Sequence, residues 1–289
     1  MMDKLLFLIF IRVGTVGQAF LPVDVYPPLH RGFRSTEVTM SEKGCFIWNV
    51  LIVILFLTIS ISVSAGPPFV TNDADPPDVD QWELIFPFTL KKGADGSRSG
   101  ELVTFDINYG YDQFTQLSIE APIPYKITPD DDIQWGVGDI LFEYKRRFGT
   151  DASKGYFGVN PQVSFPTGDY KRGLGAERVM VQLPLIYQKQ WDMTLFYTDL
   201  RYKWLVGDEK NSFWFAGFAV EREVISRVEI GAEIYSTSST ENSNSNMGFN
   251  AGLKYGWDNG KEFLLSLGRS FRGDPEFTLF AGITIFIYT

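Results

Sequence analysis

The side chains best suited to chemistry are charged and recur at even spacings. Asp139, Glu143, Lys145 and Arg147 form one such series, Asp199, Arg201 and Lys203 a second, Glu229 and Glu233 a third, and Asp106, Glu120 and Lys254 stand in segments of the same alternating kind. A spacing of two places side chains on one face of an extended strand. Such a face can pair its charges internally, line a polar path, or bring carboxylates together for acid–base work. The last use normally needs a partner base, most often a histidine, because an unassisted hydroxyl or water is a weak nucleophile at neutral pH. His30 is the only histidine and Cys45 the only cysteine, and both precede the point where an exported chain is expected to begin. The expectation is a non-enzyme with no catalytic residue, no metal site and no cofactor, whose charged residues line an interior.

Other polar motifs add little chemistry. Asp130, Asp131 and Asp132 could offer oxygen ligands to a hard cation, but the run follows Thr128-Pro129 and reads as a solvated loop. Gly173-Leu174-Gly175, after Lys171 and Arg172, lacks the strand–turn–helix context of a phosphate loop. Asn242 to Asn246 reads as a polar loop tip. The formal charge is −9 with no clustered basic surplus, which excludes a general nucleic-acid binder, since phosphate neutralisation needs one.

The elements that position the charges follow from periodicity. Val103, Phe105, Ile107 and Tyr109 alternate with Thr104, Asp106 and Asn108; Ile140, Phe142 and Tyr144 alternate with Glu143 and Lys145. Phe157 to Phe165 and Val228 to Ile234 behave likewise. Twelve such segments are expected, at 81–91, 101–109, 113–123, 136–147, 155–166, 179–189, 193–205, 212–223, 226–237, 246–256, 261–270 and 276–288. Short connectors at 111–112, 190–192, 224–225 and 257–260 contrast with longer ones at 92–100, 124–135 and 167–178. A soluble β-sandwich has the same alternation. Segment length near that of a tilted bilayer-crossing strand, charges on many polar faces and aromatic strand ends favour an all-β, single, antiparallel up-and-down transmembrane barrel of about 12 strands. Aromatic residues at 16% and a mean hydropathy near zero fit such a barrel.

Ahead of the strands, an apolar run from Phe46 to Val63 ends in Val63-Ser64-Ala65, the small-residue pattern accepted by signal peptidase. This predicts a signal peptide over 40–65 and a mature start at Gly66; an uncleaved anchor is the other reading of the run. Residues 1–39 read as an upstream extension from a start codon placed too early. Residues 66–80, dense in Pro and Asp, read as a periplasmic N-terminal tail, and 81–289 as the barrel. An outer-membrane location follows, with outer-membrane lipids, lipopolysaccharide and the barrel-assembly machinery as partners.

Several stretches resemble a known family: Gly66-Pro-Pro-Phe-Val-Thr, Gln81-Trp-Glu, Asn108-Tyr-Gly, Gly136-Val-Gly-Asp-Ile-Leu-Phe-Glu-Tyr-Lys-Arg-Arg-Phe and Phe165-Pro-Thr-Gly-Asp-Tyr-Lys-Arg-Gly-Leu-Gly. Leu183-Pro-Leu-Ile-Tyr-Gln-Lys, Phe213-Trp-Phe and Gly248-Phe-Asn-Ala-Gly-Leu-Lys-Tyr fit the same pattern. Together they resemble the outer-membrane barrels grouped under a meta-pathway of phenol degradation and described as transporters. The resemblance implies an outer-membrane place and a barrel architecture with a transport role, and the expectation is a passive channel or transporter for small molecules, hydrophobic or aromatic ones among the candidates. The alternative is a non-conducting structural barrel whose lumen is filled by ion pairs.

Overall fold

The computed structural model describes residues 68–208, 212–239, 245–258, 260–274 and 276–288. The expected upstream extension, the signal peptide with its cleavage point, and residues 242–244 of the polar loop lie outside these residues. Twelve antiparallel strands close into a barrel: β1 (Gln81–Gly93), β2 (Arg98–Asp112), β3 (Thr115–Ile127), β4 in two pieces (Ile133–Trp135 and Ile140–Phe148), β5 in two pieces (Tyr156–Val159 and Gln162–Phe165) and β6 (Met180–Trp191). The second half comprises β7 (Thr194–Leu205), β8 (Phe213–Ile225), β9 (Val228–Ser239), β10 (Ser245–Asp258), β11 (Lys261–Arg272) and β12 (Glu276–Tyr288). Each strand pairs with its sequence neighbours, and β1 pairs with β12 from Gln81↔Tyr288 to Gly93↔Glu276, so no edge is left.

Proline and glycine explain where the ladders falter. Pro87 has no N–H to donate, and the β1–β2 register shifts between Ile85 and Thr89. Pro122 and Pro124 in β3 face the gap in β4, where Gly136 and Gly138 donate to their carbonyls at 3.2 and 2.9 Å. The gap in β5 falls at Asn160-Pro161. One end of the barrel carries two-residue turns after β2, β6, β8 and β10, with a longer 149–155 connection after β4; the other carries the longest loop, 166–179.

Burial is the reverse of a soluble sandwich. Among the described residues, 25 polar or charged side chains are buried against ten apolar ones. Phe105, Leu117, Phe142, Leu185, Leu200, Phe218, Ile234 and Phe249 are exposed on the outer face. That assignment matches a bilayer outside and a polar lumen inside. Aromatic side chains gather at both rims, with Trp82 4.7 Å from Tyr109 near the two-residue turns and Tyr202 4.8 Å from Trp214 towards the other end.

Candidate functional site: a polar lumen crossed by the N-terminal segment

The inner face of each strand is set by alternation, and what fills the lumen is the chain's own N-terminal segment. The stretch 66–80 reads in the sequence as a periplasmic tail; of its described residues, 68–77 lie among the inward-facing side chains of the barrel. Asp80 N donates to the Gly110 carbonyl at the end bearing the two-residue turns. From there the chain runs inward. Asp75 meets Arg147 of β4, Tyr156 of β5 and Gln188 of β6, and Ala74 N donates to Gln188 Oε1 at 2.8 Å. Lys145 Nζ pairs with Asp73 at 2.9 Å, both nearly buried. Asn72 N donates to Asp199 at 3.1 Å, and Val70 N and Thr71 N donate to the two oxygens of Glu233 at 2.9 Å each. Arg201 binds Asp199 and the Val70 carbonyl, and Ser266 of β11 donates to the Pro68 carbonyl at 2.6 Å. Lumen carboxylates thus satisfy the backbone N–H groups of a segment whose prolines and aspartates prevent it from joining the sheet. Buried donors left unpaired would cost about 1–3 kcal/mol each.

Beyond this segment lies a cavity of about 440 Å³ lined on one side by Glu83, Asp106, Glu120 and Glu143 and on the other by Arg201 and Lys203. Asp106 and Glu120 stand directly opposite in the β2–β3 register. Glu143 is a hub, accepting from Gln116, Asn160 and Gln162. Lys203 Nζ sits 5.1 Å from the centroid of Phe213.

The charged residues singled out by spacing therefore divide into groups. Lys145, Arg147, Asp199, Arg201 and Glu233 hold the N-terminal segment; Asp106, Glu120, Glu143 and Lys203 line the cavity, with Lys145 and Arg201 of the first group. Glu229 and Lys254 belong to a third cluster, in which Lys254 pairs with Glu221 at 2.8 Å and Glu229 at 3.7 Å. Asp139 also touches the cavity, but sits in the β4 gap and accepts from Gly168 N and Ala176 N, pinning the 166–179 loop. Sequence reasoning missed Asp73 and Asp75, which lie outside any periodic segment, and Glu221, whose neighbours Arg222 and Glu223 break the alternation. It also missed Glu83, although Gln81-Trp82-Glu83 alternates and would have revealed it. Among the described residues, no group of three or more His, Cys, Asp or Glu is arranged to hold a metal ion.

No curated protein matches the chain in sequence. Among solved structures, an outer membrane channel from Pseudomonas putida F1 superposes with a TM-score of 0.63 at 14% identity, covering 78% of this chain and 100% of that one. The NanC porin gives 0.53 at 10% identity over 70% of this chain and 98% of its own. These likenesses are of fold. The sequence itself supplies kinship, matching a family over 81–286, every strand from β1 to all but the last residues of β12. The chain belongs to the family described as "Putative MetA-pathway of phenol degradation".

Proposed function

We propose that the chain is an outer-membrane channel for small solutes whose aperture is set by residues 68–77. The observation that carries this reading is the polar cavity of about 440 Å³ adjoining a segment held across the lumen by hydrogen bonds and ion pairs. The inner wall offers a permeating molecule water-like partners, while the segment narrows the path. That the two similar barrels are a channel and a porin agrees with it. No His-assisted chemistry is available in residues 66–289, so passive permeation is favoured over catalysis. The longest loop, 166–179, carries Lys171, Arg172 and Arg178 and suits the lipopolysaccharide side, with the two-residue turns in the periplasm.

The buried Lys145–Asp73 pair and the bonds to Glu233 favour a second reading, a barrel permanently closed by its own segment. Planar-bilayer recordings of the wild type and of a variant lacking residues 68–77 separate the two. Small unitary currents in the wild type, several-fold larger after deletion, are expected. Silence in both proteins would overturn the channel reading.

A further inference from the structure

We propose that the lumen cavity is a binding site for an aliphatic di- or polyamine. This deepens the channel reading by naming a solute class, and rests on that reading for transport but not for binding.

The cavity wall has more acceptors than donors. Asn160 is 1% exposed and Gln182 4%, both line the cavity, and Asn160 Oδ1 and Gln182 Oε1 are buried without a hydrogen-bond partner; Asp106 Oδ1 is a third such oxygen. The orientation has a cause. For Asn160, Glu143 draws the amide N–H onto its carboxylate, which turns the carbonyl oxygen away from it. Two of the three cations nearest these acceptors are engaged elsewhere, Lys145 on Asp73 and Arg201 on Asp199 and the Val70 carbonyl; Lys203 alone faces four carboxylates, Glu83, Asp106, Glu120 and Glu143, across the cavity. Buried acceptors are seldom left unsatisfied, and such exceptions call for a missing partner. Acceptors of this kind on one wall favour a ligand that donates.

Its shape follows from the spread of the wall. The acceptors lie on β2, β3, β4, β5 and β6 and do not converge as metal ligands do. Like charges directly opposite, as Asp106 and Glu120 are, repel unless a cation sits between them. The same cavity also presents Ile85, Pro122, Leu141 and Met180, Ile85 beside Asp106 and Leu141 beside Glu120 in the register. A primary ammonium carries three donors and no acceptor, and methylene stems between two ammonium groups match apolar patches beside acceptors. A point cation would satisfy one corner of this wall; an extended amine reaches several.

Isothermal titration of the purified full barrel in detergent with spermidine tests the site. Saturable binding at one site, weakened by salt, is expected, with Asp106→Asn and Glu120→Gln each lowering affinity about tenfold or more. Gln182→Leu, which removes an acceptor and no charge, should lower it about tenfold, whereas Asp130→Asn in the exposed β3–β4 loop should leave it unchanged. An uncharged diol of similar length, 1,8-octanediol, should not bind. Retained heat-dependent gel mobility shows which variants fold. Absence of saturable wild-type binding, unchanged affinity in the folded cavity variants, or equal binding of the diol would overturn the proposal. Spermidine binding in a barrel that passes no current would sink the channel reading alone and uphold this one; current without binding would do the reverse.

Discussion

Gly217, Gly231 and Gly252 face inward on β8, β9 and β10, and the N-terminal segment passes close to all three. A β-carbon on Gly217 would lie 2.2 Å from Thr71 Oγ1, and one on Gly231 or Gly252 would lie 2.8 or 3.2 Å from the Phe69 ring. Replacing Gly217 by Val should dislodge the segment and leave the sheet, whose ladder at this position is untouched. The expected result is a conductance approaching that of the 68–77 deletion, with unchanged circular dichroism; wild-type conductance would refute the packing. Lys145→Met strips the partner from Asp73. Breaking a buried pair from one side costs about 3–5 kcal/mol when the orphan stays buried, so the segment should leave the lumen instead. Limited proteolysis would then cut within 68–77 in the variant and spare the wild type. At this scale the sequence was readable wherever alternation held, as at Asp106 and Lys145. It was silent on Asp73 and Asp75, because a complementary charge on a non-periodic stretch has no local mark. The inward glycines were the available sign, since three adjacent strands with no side chain at inward positions leave room that something must fill.

The twelve strands fall within about four residues of their expected ends, because each presents one apolar and one polar face long enough to cross a bilayer. Where the reading fell short, the cause was a residue that interrupts pairing without ending the strand. Gly136 and Gly138 open β4 opposite Pro122 and Pro124, and Pro161 divides β5, yet polar and apolar positions keep their sides across both gaps. The outward face makes its own prediction. Phe218 lies midway along β8 and is 46% exposed, towards lipid on this assignment. Phe218→Arg should destabilise the barrel by about 2–4 kcal/mol near the bilayer midplane. Urea titration of protein folded into vesicles measures this, and a loss below 0.5 kcal/mol, the size of an ordinary surface change, would argue against a lipid-facing β8.

The whole molecule couples closure with charge. The pairing of β1 with β12 leaves no strand edge at which unfolding begins, so the folded chain should run anomalously on gels until boiled. Identical mobility before and after heating would contradict closure. Residues 66–289 carry 21 basic and 31 acidic side chains, but net charge alone does not fix selectivity; what matters is which carboxylates remain unpaired along the path. Glu233, Asp199, Asp73 and Asp75 are consumed in holding the segment, and Glu221 and Glu229 answer Lys254. Asp139 is committed to the 166–179 loop. Asp106 and Glu120 face the cavity together with Glu83 and Glu143, four carboxylates against Lys203 and Arg201, and carboxylates in a confined path draw cations into it. Reversal potentials in a KCl gradient should therefore show a cation preference that Asp106→Asn and Glu120→Gln reduce, whereas substitutions at 130–132, exposed beside bulk water and screened within about 10 Å by salt, should not. Anion preference, or equal effects of cavity and loop variants, would mean that the permeating ion does not pass the wall formed by β2 and β3.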